Sequence, residues 1–245
     1  MARRETRSHR IVVTGATDGL GFLLARSYAA RGHRVLATGR RNLPDHAAFF
    51  DEPNIRYIRA DQSEPERAAR SLAMALERLG WDSLDIAILN AATGWTGKPE
   101  EETAAQIVEQ VDVNLTGPVL LAHALAPALL KGGGQLVLIG STAAKGAERF
   151  ATYAATKGAL AGLARSLRAE WRGRASVSLI HPGPTRTGMH EKVGHNPGRA
   201  TRLFMKPQGV SRAIERAVRE REKEREITRF YAFRSRFGQP GEEQV

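Results

Sequence analysis

Short runs of β-branched and aliphatic residues alternate with longer stretches whose apolar positions recur at helical spacing along most of the 245-residue chain. Runs of this kind, four to six residues long and apolar on both faces, predict strands buried inside a parallel sheet. They fall at 10–14, 34–38, 55–59, 85–89, 135–139 and 176–181, with a weaker seventh at 227–233. Between them the pattern predicts helices at 20–31, 65–79, 101–130, 152–171 and 208–224, the third broken near Pro118. Strand and helix in regular alternation build βαβ units. The expected fold class is therefore α/β: one domain, a doubly wound parallel sheet of six to seven strands with helices on both faces. In such a sheet ligands sit beyond the carboxyl ends of the strands.

The same pattern gives the domain plan: a basic extension at 1–9, the sheet domain at 10–236 and a tail at 237–245. Residues 188–207 carry Gly194, Pro197, Gly198 and Pro207 without periodicity and follow a strand, where a flap over a site would sit. No internal repeat or low-complexity segment interrupts the plan.

Composition narrows the chemistry. The chain has no cysteine, which excludes disulfide staples, thiolate metal sites and a cysteine nucleophile. The longest uncharged apolar stretch, 117–130, falls short of the roughly 20 residues of a membrane span, and the charged first ten residues lack a signal-peptide core. A cytoplasmic protein without membrane attachment is expected. A net charge of +11 invites a nucleic-acid reading. However, the most charge-dense segment, 207–245, is nearly balanced, and no basic run is interleaved with aromatics as a stacking platform requires. No nucleic-acid partner is expected.

Directly after the first strand stands Thr14-Gly15-Ala16-Thr17-Asp18-Gly19-Leu20-Gly21, opening into a helix. Glycines let the backbone turn sharply and approach a pyrophosphate, and the N–H groups of the helix start point at the anion. At the end of the second strand, Gly39-Arg40-Arg41 places two guanidiniums where an acidic side chain would otherwise bind the ribose hydroxyls of NAD. That substitution predicts recognition of a 2′-phosphate, Arg40 more than Arg41, and hence NADP as cofactor. Tyr153 and Lys157 lie four residues apart on one helix face, so the ammonium is expected to draw the phenol's pKa down from about 10. Ser141 follows the fifth strand at the ligand edge, where its hydroxyl can hold a carbonyl oxygen. Thr142 beside it could take that part instead.

These motifs resemble the short-chain dehydrogenases/reductases, whose turn reads Thr-Gly-x-x-x-Gly-x-Gly and whose catalytic pair reads Tyr-x-x-x-Lys. The likeness runs from about residue 10 to 219. It implies a Rossmann fold, with Thr14, Gly15, Thr17, Asp18, Gly19, Leu20 and Gly21 at the cofactor phosphates and Asp61, Asn90 and Ala91 near the adenosine. Pro182, Gly183, Thr185 and Thr187 would hold the nicotinamide, together with Tyr153 and Lys157. It also implies Asn114 as the anchor of a relay water, completing a catalytic set of Asn114, Ser141, Tyr153 and Lys157. Two departures from the family pattern stand out: Asn90-Ala91-Ala92 in place of Asn-Ala-Gly, and a Ser141 to Tyr153 spacing one residue short.

The expected activity is NADP-dependent hydride transfer between NADPH and a carbonyl or secondary alcohol, with Tyr153 as general acid/base. A non-catalytic dinucleotide-binding sensor is the alternative. The resemblance further implies a homodimer or homotetramer packed through the helices that carry Asn114 and Tyr153. His181 is expected to be a strand-end residue, and no histidine has metal-ligand spacing, so no metal is expected. Lys192, Arg199, Arg202 and Lys206 in or beside the flap hint at an acidic substrate, although a solvated loop explains them as well.

Overall fold

The computed structural model describes residues 7–42, 53–187 and 204–229. Its elements, in chain order, are β1 (Arg10–Val13), α1 (Gly19–Ala30), β2 (Arg34–Gly39), β3 (Ile55–Arg59), α2 (Pro65–Arg78), β4 (Ile86–Leu89) and α3 (Ala104–Val111). They continue with α4 (Gly117–Gly132), β5 (Gln135–Ile139), α5 (Ala151–Glu170), β6 (Ser176–Pro182), α6 (Pro207–Arg219) and β7 (Glu224–Ile227). Seven parallel strands lie in the order β3-β2-β1-β4-β5-β6-β7. The order reverses between β1 and β4. A crevice opens at their carboxyl ends there, as it must when successive crossovers leave to opposite faces.

Period-two alternation sorts the strand residues onto two cores. Ile11 and Val13 face α1 and α6, with Leu24, Val210 and Ile214. Val12, Leu36, Leu136 and Leu138 face the other layer, with Leu72 and Leu76 of α2, Leu121, Leu125 and Leu129 of α4, and Leu160 of α5. The helical partners recur at i, i+4, which sets each apolar stripe against the sheet.

Three elements depart from the sequence reading. The helix expected at 101–130 begins at Ala104, after Thr103 and Gln106 form a reciprocal cap, and it is interrupted by a π turn at Asp112–Thr116. Pro118 causes no break: the chain stays helical ahead of it through the π turn, whose wider bonding, Gly117 N–H to the Asp112 carbonyl, accommodates the residue that lacks an N–H. The π turn fuses α3 and α4 into a helical run, Ala104–Gly132, long and apolar enough to cross a membrane, unlike the 117–130 stretch taken alone. Half of its apolar window is buried in the fold, and Leu121, Leu125 and Leu129 are core residues.

The last helix stops at Arg219, five residues early, because Arg221 takes a positive φ of 48° and the chain turns back toward the sheet. The seventh strand consequently lies at Glu224–Ile227, not 227–233. Residues beyond 229 fall outside the described residues, as do 1–6. The strand eluded an apolar search because it is an edge strand with a single buried residue, Ile227. Of the expected flap, positions 188–203 lie outside the described residues. Positions 204–206 run beside 184–186, held by the backbone bonds Met205 N–H to Pro184 O (2.9 Å) and Arg186 N–H to Met205 O (3.0 Å).

Candidate active site

A cleft of about 1000 Å3 runs along the carboxyl edge of the sheet, from the turn after β1, past the ends of β4 and β5, to the segment after β6. That volume is at the upper end for a small-molecule site.

The turn after β1 is built to keep side chains out of the way. Gly15 and Gly19 adopt φ of +63° and +56°, and a Cβ on Gly15 would sit 2.7 Å from the Ala91 Cα. Gly21 is a glycine for another reason: its Cβ would fall 2.3 Å from the Gly15 carbonyl oxygen and 2.5 Å from Asn90 Nδ2. Thr14 points away from the cleft. Its buried hydroxyl accepts the N–H groups of Asn90 and Ala91 at 3.0 and 3.1 Å, and Asn90 Nδ2 donates back to the Thr14 carbonyl at 3.0 Å. Thr14 and Gly21, expected at the phosphates, thus shape the turn from behind, while Gly15, Thr17, Asp18, Gly19 and Leu20 line the cleft. Asp18 caps α1, its carboxylate accepting the Gly19 N–H at 2.7 Å.

At the end of β2, Gly39 makes room for Thr17, whose methyl would be 2.6 Å from a Cβ there. Arg40 lines the cleft, exposed, with Nη1 4.0 Å from Glu109 on α3. Arg41 is not a lining residue. Its carbonyl accepts the Tyr57 hydroxyl at 2.7 Å, and the Arg40 carbonyl accepts Arg59 Nε at 3.1 Å. Tyr57 and Arg59, on β3, are contributors the sequence reading missed. Their signal was the one-residue alternation of β3, which turns Tyr57 and Arg59 to the same side. Asp61 lines the cleft and turns the chain into α2, accepting the Ser63 N–H and hydroxyl at 3.1 and 2.9 Å. Asn90 and Ala91 line it as well.

At the other end, Ser141, Tyr153 and Lys157 come together. The Tyr153 phenol lies near enough to the Ser141 side chain for the serine hydroxyl to pull its pKa down, and Ser141 Oγ accepts the Ala143 N–H at 3.1 Å. Phe150 packs edge-on against the Tyr153 ring, centroids 6.3 Å apart. The buried Lys157 ammonium donates to the Ile139 carbonyl at 2.9 Å and lies 5.9 Å from the Tyr153 ring centroid. The expected acidic phenol does not follow from this geometry. Burial pushes the Tyr153 pKa up from 10.0, with the Ser141 hydroxyl pulling partly back. Burial likewise pulls Lys157 down to about 8. The ammonium is spent on a backbone carbonyl, and desolvation of the phenolate is the largest influence on Tyr153.

Asn114 sits in the π turn, fully buried and behind the wall. Its Nδ2 donates to the Thr93 carbonyl (2.9 Å) and to Thr156 Oγ1 (3.2 Å), and its Oδ1 accepts the Thr93 N–H (2.9 Å). Both amide hydrogens are therefore taken by protein, so a water held at Asn114 would donate to one of its oxygens. The partner the sequence reading missed is Thr93, a residue of the cleft wall.

At the end of β6 and just beyond it, Pro182, Gly183, Thr185 and Thr187 line the cleft. Thr185 is buried and its hydroxyl donates to the Gly183 carbonyl at 2.8 Å. The Thr187 methyl stands 3.4 Å from where a Gly19 Cβ would be, so this segment closes over the first turn. Among the described residues the lining also includes Trp95, Ala143, Ala147, Phe150 and Phe204, together with the polar Gln106, Glu109, Gln110 and Thr142. Lys206 stands just before α6 as its N-cap, and Lys192, Arg199 and Arg202 fall outside the described residues. Among the described residues no group of three His, Asp or Glu side chains could hold a metal ion.

Comparison with known proteins agrees with this architecture. The NADP-dependent 3-hydroxy acid dehydrogenase YdfG of Salmonella typhi is 32% identical over 179 residues, 71% of this chain and 71% of that protein. Among solved structures, a short-chain dehydrogenase from Sphingobium yanoikuyae in complex with NADPH superposes with a TM-score of 0.78 at 25% identity, covering 89% of this chain and 87% of the other. One from Streptomyces avermitilis gives 0.78 at 27%, covering 94% and 91%. The short chain dehydrogenase family profile matches residues 9–198. With its parallel sheet, its glycine turn and a match across most of its length, the chain belongs to the short-chain dehydrogenase family of oxidoreductases.

Proposed function

We propose that the protein is an NADP-dependent oxidoreductase that interconverts a carbonyl compound and the corresponding alcohol. The residues present fit the dinucleotide. Left-handed glycines 15 and 19 leave backbone against the cleft where a Cβ would intrude, the N-terminus of α1 opens onto it, and Arg40 stands at its far end with no acidic side chain at position 39. Bound NADPH would supply the hydride received by the carbonyl carbon. Tyr153 holds the proton for the carbonyl oxygen, and Ser141, beside it in the cleft, orients that oxygen next to the phenol. The nearness of its hydroxyl to the Tyr153 phenol favours Ser141 over Thr142 for this part. Lys157, anchored by the Ile139 carbonyl, places a cation behind the phenol that favours its ionised form once the proton has left. Asn114 fixes Thr93 in the wall. The observation that carries the reading is that Ser141, Tyr153 and Lys157 line the same cleft that begins at the glycine turn, with the Lys157 ammonium 5.9 Å from the Tyr153 ring centroid.

The aromatic and alanine residues of the lining, Phe150 against the Tyr153 ring among them, suit a neutral substrate with an apolar flank better than an anion. The NADPH-bound and NADP-dependent relatives support the cofactor. An apolar strip of Ile107, Val108, Val111 and Val119, exposed on α3 and α4, supports association into a homodimer or homotetramer. A single domain over 10–236 working in the cytoplasm belongs to the same reading.

The test is NADPH oxidation, followed by absorbance, with a panel of aryl ketones, aliphatic aldehydes and keto acids. Turnover of at least one carbonyl that Tyr153→Phe abolishes supports the proposal, and equal turnover by both proteins overturns it.

A further inference from the structure

His181, expected to be a bystander at the end of β6, is 7% exposed and touches the site from behind. Its Nδ1 lies 3.0 Å from the carbonyl oxygen of Ser141 and its Nε2 lies 3.3 Å from Glu224 Oε1 on β7. A carbonyl oxygen only accepts, so Nδ1 carries the hydrogen, and the ring is held between an acceptor on the serine loop and a carboxylate on the edge strand. Space for this approach is made by Gly140, where a Cβ would meet His181 Nδ1 at 2.6 Å.

The same edge strand reaches the serine loop a second time. Glu224 and Glu226, two residues apart, share one face of β7. Glu226 pairs with Lys145, the last residue of the 3₁₀ turn (Thr142–Lys145) that follows Ser141. Arg168 of α5 lies 4.0 Å from the other oxygen of Glu224 and completes the charged surroundings of the ring.

We propose that His181 is a positioning residue for Ser141, with Glu224 as its brace. Its Nδ1–H fixes the Ser141 carbonyl, which sets the direction of the Ser141 hydroxyl toward Tyr153. The seemingly peripheral strand β7, through Glu224–His181 and Glu226–Lys145, thereby holds the serine loop at both ends. The inference rests on the reading of Ser141 and Tyr153 as the proton-transfer pair.

Its test uses the full chain with four readouts. In ¹⁵N spectra of histidine-labelled protein, His181 Nδ1 should be the protonated ring nitrogen; a ring protonated at Nε2 alone overturns the proposal. His181→Leu should lower the single-turnover rate of carbonyl reduction about tenfold, the worth of one buried hydrogen bond, with NADPH affinity unchanged. It should also speed hydrogen exchange at the Ala143 amide, which is bonded to Ser141 Oγ. His181→Asn, which keeps an N–H donor near the Nδ1 position, should recover most of the rate, and Glu224→Ala should cost about twofold. An unchanged rate and unchanged Ala143 exchange in His181→Leu overturn the proposal, as does a loss of NADPH affinity as large as the loss of rate. If the wild type reduces no carbonyl, the oxidoreductase reading fails alone, and the ring-nitrogen and Ala143 measurements still decide whether His181 holds the loop.

Discussion

At the β1–β2 end of the cleft the exposed surface is largely backbone and glycine, whereas at the β5–β6 end it is a set of half-buried and buried side chains that hold one another. The first end works by subtraction. Gly15, Gly19 and Gly39 remove atoms, and Thr14 and Asn90 tie the turn down from behind. The second end works by partnership: Ser141 with Tyr153, Lys157 with the Ile139 carbonyl, and Asn114 with both polar groups of the Thr93 backbone. A backbone-built site tolerates no added atom, while a side-chain-built site tolerates no lost partner. The two ends should therefore fail differently under mutation.

The sharpest break of this contrast is chemical. Tyr153→Phe removes one oxygen at the side-chain end and should reduce turnover by about 10²–10⁴-fold. NADPH binding, measured by fluorescence titration, should stay within a few-fold of wild type. Loss of binding equal to the loss of turnover would merge the two ends into one.

Next in size is the pH response of Lys157, whose pKa is held near 8 against an ordinary 10.5. Between those values the unfolded chain binds more protons at this site than the folded chain does, so the site's contribution to folding stability rises with pH across that window. The total is about 3 kcal/mol. Denaturant titrations of wild type and Lys157→Met from pH 7 to 10.5 should give a difference curve with that rise. A flat difference curve would mean that burial of the ammonium is not felt.

Smaller is the effect of an added methyl at the backbone end. Gly15→Ala must combine a positive φ with contact on Ala91 and should cost about 2 kcal/mol, lowering Tm by about 4–8 °C. NADPH affinity should fall with it, because the strained backbone is itself the cleft wall. The smallest effect is expected at exposed Arg40. Arg40→Ala should weaken NADPH about tenfold, a single charge-assisted contact, and leave NADH unchanged. Equal weakening of both would remove the 2′-phosphate from the argument.

The same contrast explains what could be read along the chain. Glycine spacing after a strand and the four-residue step from Tyr153 to Lys157 are local, so both are visible in one dimension. The edge strand at Glu224–Ile227 was not. Its charged residues are matched by Lys145, Arg168 and His181, which lie far away in sequence, and the weak apolar signal that stood in for it lay three residues too late. A proline is a breaker, so the sequence places the interruption at Pro118; the π turn found instead, two to six residues earlier, leaves no compositional mark.

The amino-acid sequence by itself determined the alternating α/β plan, the parallel sheet, the cleft edge and most of the residues around it, because period, glycine and helical spacing are properties of neighbouring residues. Only the tertiary structure decided which polar groups are already committed: both amide hydrogens of Asn114, the hydroxyl of Thr14, the ammonium of Lys157 and the ring of His181. The reason is that a buried donor or acceptor takes its partner from whichever strand or loop packs against it. That partner is fixed by the crossing of elements, and nothing at the residue itself announces it.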